Sequence, residues 1–289
     1  MAYYIMVLYR RTKFDSMKPA HPGTRTAKPR YGIEALARGL EILALFSSES
    51  PSLSLTEIVA TRELNKSTAF RVLSTLEALG YLERDPATRR YRPGLKVLQL
   101  GFTALNGLEV GQVARPYLER LAQKVDETAS VGVLDGMRVM YVDRIRNRAI
   151  VGVVIGIGSH VSAHCTSLGK VLLADLPADE LNRRLADADL TAFTSHTITD
   201  HRALLSELTV VRQRGYATSD EELAVGLRAV AAPIRNATQK AVAAINVSGP
   251  VTSISRERLK AEIVPAVVKT AAQISLALGC SEADNHVSR

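Results

Sequence analysis

Apolar residues recur every three or four positions from Ile33 onward. Leu36, Leu40, Leu43 and Ala44 form one stripe, which predicts an amphipathic helix ending near Ser47-Ser48. Pro51 and Ser52 break the chain. Ser54 stands three residues before Glu57, the spacing at which each side chain satisfies the other's backbone amide, so a second helix is expected through Leu55, Ile58 and Val59, ending by about Leu64. Asn65 is placed to cap a third helix, whose stripe Ala69, Val72, Leu73, Leu76 and Leu79 should face a core until Gly80 stops it. Tyr81 to Arg84 and Tyr91 to Pro93 then read as two short strands around a turn begun by Asp85-Pro86. Three helices followed by a hairpin is the order of a winged helix-turn-helix.

Beyond it, Gly94 to Gly107 carries Leu95, Val97, Leu98, Leu100, Phe102 and Leu105, a helix-like stretch that would serve as a connecting helix or as core. A helix is expected around Val113 to Val125. Strand-like runs rich in Val and Ile follow at Ala129 to Leu134, Val139 to Arg144 and Ile150 to Ile155, and later at Ala217 to Ser219, Leu227 to Ile234 and Ala241 to Val247. Between the two groups, Ser159 to Gly169 leads into a helix at Lys170 to Ala174. The expected class is α+β, with one sheet in the second part of the chain.

Charge sharpens the first part. The 289 residues carry a net charge of +8, and residues 1 to 95 hold 15 Lys+Arg against 9 Asp+Glu, leaving 22 against 20 for the rest. The surplus therefore sits beside the expected helix-turn-helix, where polyanion binding needs it. The third helix offers Lys66, Ser67, Thr68, Phe70 and Arg71 near its N-terminus, the end that enters a major groove. Arg71 suits a bidentate contact to guanine, and the hydroxyls of Ser67 and Thr68 suit base edges or phosphates. Arg84, Arg89, Arg90 and Arg92 lie on or beside the hairpin, where they would hold backbone phosphates. A solvated helix face would show similar polar residues, so the weight falls on the order of elements.

Residues 1 to 30 contain Lys18-Pro19, His21-Pro22-Gly23 and Lys28-Pro29-Arg30, which reads as a basic disordered arm, and Met17 is a candidate natural start. Two distant cysteines, Cys165 and Cys280, write neither a disulfide framework nor a zinc site, and a reducing cytoplasmic compartment fits. No apolar stretch reaches membrane-spanning length, and no partner membrane is expected. Neither cofactor nor metal is expected, since the six His are scattered.

Enzyme motifs fail one by one. His164-Cys165 has no defined third partner, and Gly169-Lys170 lacks both the glycine five residues earlier, where His164 stands, and a following Ser or Thr. Gly156-Ile157-Gly158 meets Val161 where a dinucleotide loop needs glycine. By contrast, Ser167, Leu168 and Gly169 sit at a helix N-terminus, where free amides can hold an anionic ligand. A second non-enzymatic reading is an architectural DNA-binding protein whose C-terminal part only oligomerises.

Several separate motifs together resemble the IclR family of regulators. They are Ala37-Arg38-Gly39-Leu40-Glu41-Ile42-Leu43, Asn65-Lys66-Ser67-Thr68 with Arg71, Leu79-Gly80-Tyr81-Leu82, His164 to Ala174, Arg214-Gly215-Tyr216, Glu221-Glu222 with Gly226-Leu227, and Ala243 to Pro250. The resemblance spans residues 33 to 280. It implies a winged helix-turn-helix at 31–93, a linker helix at 94–107, a C-terminal GAF/profilin-like α/β effector-binding and oligomerisation domain at 108–281, and a tail at 282–289. It also implies homodimers that can pair into tetramers on operator DNA, with RNA polymerase a partner in activating members. Residue-wise matching to the family's effector contacts adds Ser219, Leu227, Ala229, Asn246 and Ser248. Ser167 and Leu168 are bulkier than the glycine-alanine step of some members, and Ser219 replaces a common acidic residue. Tyr141-Val142-Asp143-Arg144-Ile145 with Cys165 to Lys170 looks most like the branch controlling protocatechuate, 4-hydroxybenzoate and β-ketoadipate catabolism, which implies an aromatic acid or dicarboxylate effector.

Overall fold

The computed structural model describes residues 33–47, 50–62, 65–106, 109–146 and 156–281. The expected arm at 1–30, the strand at Ile150 to Ile155 and the tail at 282–289 lie outside the described residues. The chain divides after Ala104 into two compact units.

The first unit holds α1 (Glu34–Leu43), α2 (Leu55–Arg62), α3 (Lys66–Ala78), β1 (Leu82–Arg84), β2 (Tyr91–Pro93) and most of α4 (Leu95–Asn106). Ser54 and Glu57 make the reciprocal cap, with Ser54 N donating to Glu57 Oε2 at 2.7 Å and Glu57 N to Ser54 Oγ at 3.3 Å. Asn65 Oδ1 accepts from Thr68 N at 2.7 Å to start α3, and Gly80 ends it at φ +77°, a conformation that penalises any side chain. The core is built from Ile42, Leu45, Ile58, Leu73, Leu82 and Tyr91. The wing is antiparallel, with Glu83 opposite Arg92, and Leu53 makes a single antiparallel bridge to Tyr91. Asp85 Oδ1 accepts from the amides of Ala87 and Thr88 and shapes the turn.

Two stripes need correction. In α1 the buried row is Gly39, Ile42 and then Leu45, whereas Leu36 and Leu40 stay 60% and 59% exposed. The helix is apolar on two sides, and the core takes the row that meets α3. Leu79, expected to face the core, caps α3 and is exposed.

The second unit opens with α5 (Glu109–Val125), then β3 (Thr128–Asp135), β4 (Arg138–Ile145) and β5 (His160–Ser162). Helices α6 (Ser167–Asp175), α7 (Ala178–Ala186) and α8 (His201–Arg214) follow. The chain returns through β6 (Ala217–Asp220), β7 (Leu227–Arg235) and β8 (Ala241–Pro250), and closes with α9 (Arg256–Arg258), a π-turn at Leu259–Ile263 and α10 (Val264–Ala277). All pairings in the sheet are antiparallel, in the order β5-β4-β3-β8-β7-β6. Strand alternation divides its side chains between two cores. Ala243, Ile245 and Val247 of β8 join Val110, Ala114, Leu118 and Leu121 of α5 and Val267 and Ile274 of α10 on one face. Ala244 of β8, Ala231 of β7 and Tyr141 of β4 join Leu168, Val171 and Leu172 of α6 and Leu204 and Leu208 of α8 on the other. The helices α7, α8 and α10 are additions to the elements read from the sequence.

Candidate operator and effector sites

On α3, Lys66, Ser67, Phe70 and Arg71 are exposed, Phe70 by 48%, and Thr68 is half-buried at the first turn beside them. Ser67 Oγ donates to Asn65 Oδ1 at 3.1 Å, so it belongs to the cap network. Lys66 and Arg71 reach no acid among the described residues. Unpaired cations beside a helix N-terminus are what a phosphate or guanine edge requires.

The structure divides the wing arginines. Arg89 stands exposed at the turn with φ +58° and its side chain free of partners among the described residues. Arg84 lies over the Tyr91 ring at 5.4 Å, with Nε buried and unpartnered. Arg90 is tied back: Nη2 donates to Ser52 O at 2.8 Å, Nε to Ser52 Oγ at 3.1 Å, and Glu57 lies 3.0 Å away. Arg92 donates twice to Glu83 Oε2, at 3.0 and 2.8 Å. Arg90 is therefore a strut between the wing and the start of α2. Arg90→Ala should lower the stability of this unit by about 1 kcal/mol through the lost bonds to Ser52, read as a lower Tm, whereas Arg89→Ala should leave Tm unchanged.

The second site forms on the α6 face of the sheet. Register places Ser219 beside Ala229, Ala229 beside Ser248, and Asn246 between Ala231 and Ser130. Directly paired residues project to the same face, and Ala231 and Ala244 fix that face as the α6 side. Leu227 is in step with Ala229 at the end of β7, opposite Pro250. Thr166 caps α6 by accepting from Gly169 N at 3.2 Å, so the helix starts at Ser167, three residues earlier than the sequence suggests. The predicted residues do not all play one role. Leu168 is fully buried in the core below α6, and a Cβ on Gly169 would overlap the Ala163 backbone. Ser219 Oγ donates to Cys165 O at 3.0 Å and holds the loop before α6.

What remains is a set of buried polar atoms without partners among the described residues: Ser167 Oγ, Asn246 Oδ1 and Ser130 Oγ. Leaving such groups unpaired costs roughly 1–3 kcal/mol each, which marks them as positions where something else bonds. Ser130 was not among the predicted residues. Its signal was the alternation of Ser130 with Ala129 and Val131, which turns it away from the α5 core.

Next to this surface lies a buried ion pair. Lys170 Nζ donates to Glu222 Oε1 at 2.6 Å and to Thr218 O at 3.3 Å. The Glu222 backbone is held by Thr197 Oγ1 at 2.7 Å. Burial pushes the Glu222 carboxyl up, against the opposing pull of Lys170. Burial also pushes the Cys165 thiol up to about 12 and the His164 imidazole down, with His164 Nε2 engaged by Thr191 O. A thiol held at that value supplies no thiolate nucleophile at neutral pH. No three His, Cys, Asp or Glu side chains gather as metal ligands among the described residues.

A winged helix-turn-helix followed by an antiparallel-sheet domain with helices on both faces defines an α+β transcription regulator. Residues 35–86 match the IclR helix-turn-helix domain and residues 102–276 the bacterial transcriptional regulator IclR C-terminal domain, and the chain belongs to this family. It is 36% identical over 247 residues to the HTH-type transcriptional regulator BhcR of Paracoccus denitrificans, covering 86% of this chain and 88% of that one. It is 34% identical over 232 residues to the Pca regulon regulatory protein of Pseudomonas putida, covering 80% and 79%. Among solved structures, an IclR homolog from Microbacterium hydrocarbonoxydans complexed with 4-hydroxybenzoate aligns with a TM-score of 0.72 at 25% identity, over 85% of this chain and 97% of that one. These families and relatives are transcriptional regulators, not enzymes. Among the described residues no helix is long and apolar enough to cross a membrane.

Proposed function

We propose that this regulator responds to a small carboxylate bound on the α6 face of its C-terminal sheet, and that it controls an aromatic-acid or β-ketoadipate catabolic operon. The observation that carries the reading is the group of buried, unpartnered polar atoms Ser130 Oγ, Ser167 Oγ and Asn246 Oδ1 beside a helix N-terminus. Ser248, Ala229, Ser219 and Leu227 continue that surface, with Leu168 and Gly169 fixing the position of α6. The Pca regulon relative and the 4-hydroxybenzoate complex support the effector class.

In this reading residues 31–93 bind the operator, 94–107 connect, and 108–281 bind effector and oligomerise. Lys66, Arg71 and Phe70 meet base edges, Ser67 and Thr68 approach phosphate, and Arg84 and Arg89 hold the backbone, with Arg90 and Arg92 bracing the wing. Ile33 at the cap of α1 with Leu36 and Leu40 leaves an uncovered apolar row, and Leu95 and Leu98, one turn apart, are exposed together on α4. Those two faces are the homodimer contacts we assign, and we assign pairing of dimers to the C-terminal domain on the family resemblance alone. Effector binding shifts the balance between arrangements of the dimer by its differential affinity for them.

Two substitutions test the DNA half. Arg71→Ala should weaken operator binding by roughly 1–3 kcal/mol with little effect on random duplex. Arg89→Ala should weaken both alike. Equal losses for Arg71→Ala on operator and random DNA would remove it from base readout.

A further inference from the structure

Arg144 on β4 is a cation without a counter-ion among the described residues, on the proposed effector surface. Register sets it directly opposite Ser130, which in turn lies opposite Asn246, so the three form one row across β4, β3 and β8. Alternation along β4 turns the adjacent Asp143 to the other face, where it meets Arg115 of α5 at 2.8 Å. Asp143 therefore cannot neutralise its neighbour. The register shift between Val131 and Gly132 brings Tyr141, three residues before Arg144, onto the α6 side as well. The Arg144 guanidinium lies 6.0 Å from the Tyr141 ring, and its Nε is buried with no acceptor among the described residues. Among the described residues no carboxylate reaches this side chain. Burial presses against its charge, and a half-buried cation is normally kept only where an anion meets it.

We propose that Arg144 is the group that holds the effector's carboxylate, with Ser130 donating a hydroxyl and Asn246 bonding the ligand beside it. This rests on the effector reading above and narrows it. The other cations on this side of the sheet are already paired, Lys170 with Glu222 and Arg235 with Asp175 of α6, and Arg228 is in step with Val230 toward the opposite face, where it meets Asp220 and Ile254 O. One unpaired guanidinium on this surface, among the described residues, matches one carboxylate. The structure thus assigns a monocarboxylate, such as an aromatic acid, in preference to a dicarboxylate. A guanidinium offers two parallel N–H donors to a carboxylate, an arrangement lysine cannot copy.

The test uses the full chain with benzoate, 4-hydroxybenzoate, protocatechuate, β-ketoadipate and the uncharged 4-hydroxybenzamide, each titrated by calorimetry and by thermal shift. At least one monocarboxylate should bind more tightly than β-ketoadipate, and 4-hydroxybenzamide at least about tenfold more weakly than its acid. Arg144→Gln should lose about thirtyfold or more in affinity, the scale for truncating one side of a buried charged contact, and Arg144→Lys should fall between. Ser130→Ala should weaken binding severalfold while leaving the ligand-free Tm unchanged or raised, because it deletes an unpaired buried hydroxyl. If Arg144→Gln does not fold, the acid-against-amide comparison and Ser130→Ala decide the matter. Affinity unchanged in Arg144→Gln, or equal binding of acid and amide, overturns the Arg144 assignment and leaves the effector reading standing. Binding of none of these compounds to the wild type overturns both.

Discussion

Lys170→Met should destabilise the C-terminal unit by about 3–5 kcal/mol at neutral pH, a large share of a domain's usual margin. The substitution keeps the side-chain volume but leaves the Glu222 carboxylate buried, with its Oε2 unpartnered and its paired cation gone. The loss should depend on pH, and the sign follows from the carboxyl. Burial already raises the folded-state value of Glu222 above 4.5, and Lys170 opposes that rise. Without the lysine the folded value climbs further. Between 4.5 and that raised value the native state holds a proton that the unfolded state has released, so stability falls as pH rises through the window. Urea unfolding of Lys170→Met at about pH 5 and about pH 8 should therefore show a markedly smaller deficit at the lower pH. The double variant Lys170→Met/Glu222→Leu should recover much of the loss, since removing both charges leaves nothing uncompensated. A deficit independent of pH would mean that the pair contributes packing rather than charge.

Gly169→Ala should cost about 3 kcal/mol or more. A methyl there would overlap the Cα, carbonyl carbon and oxygen of Ala163, and backbone atoms cannot rotate aside as a flexible side chain would. The first turn of α6 has to move, carrying Ser167 with it, so affinity for a carboxylate should fall together with Tm. Gly111→Ala is the matched control. That glycine lies inside α5 with nothing within 4 Å of where the new methyl group would stand, and the same substitution should stabilise by up to about 1 kcal/mol. Thermal unfolding of the two variants should thus move in opposite directions. A Gly169→Ala protein with wild-type Tm would show that α6 is not seated this closely on the loop before it.

Local chemistry was the legible part of this chain. The Ser54–Glu57 cap, the Asn65 cap, the Gly80 stop and the wing turn each depend on residues within a few positions of one another, and the structure reproduces them. The choice between two apolar rows on α1 is not local, because it depends on how the helix packs in three dimensions, and the stripe through Leu36 and Leu40 points to the wrong side. Helix α7 is sharply amphipathic but only 9 residues long and strongly polar, so Leu181 and Leu185 make too short a stripe to stand out, and α8 buries Leu204, Leu208 and Val211 amid many charges, which blurs its periodicity. The wing arginines look alike in sequence. Only the fold reveals that Glu57 and Glu83 occupy two of them. Ser130 and Arg144 lie on consecutive strands and Asn246 on a strand much later in the chain, and their common row exists only once the register of β4, β3 and β8 is set. The family resemblance reached Asn246 but had no purchase on Ser130.

A carboxylate held in the C-terminal unit should change how the winged helix binds its operator. The most direct measurement of this coupling is a mobility-shift titration of the purified full chain on the intergenic DNA upstream of its own gene, at fixed salt, with and without 4-hydroxybenzoate, protocatechuate or β-ketoadipate. A specific complex whose affinity changes about fivefold or more with one of these acids, a coupling of about 1 kcal/mol, is the expected result. A specific complex indifferent to every acid would contradict the coupling and leave the C-terminal domain as a scaffold for assembly.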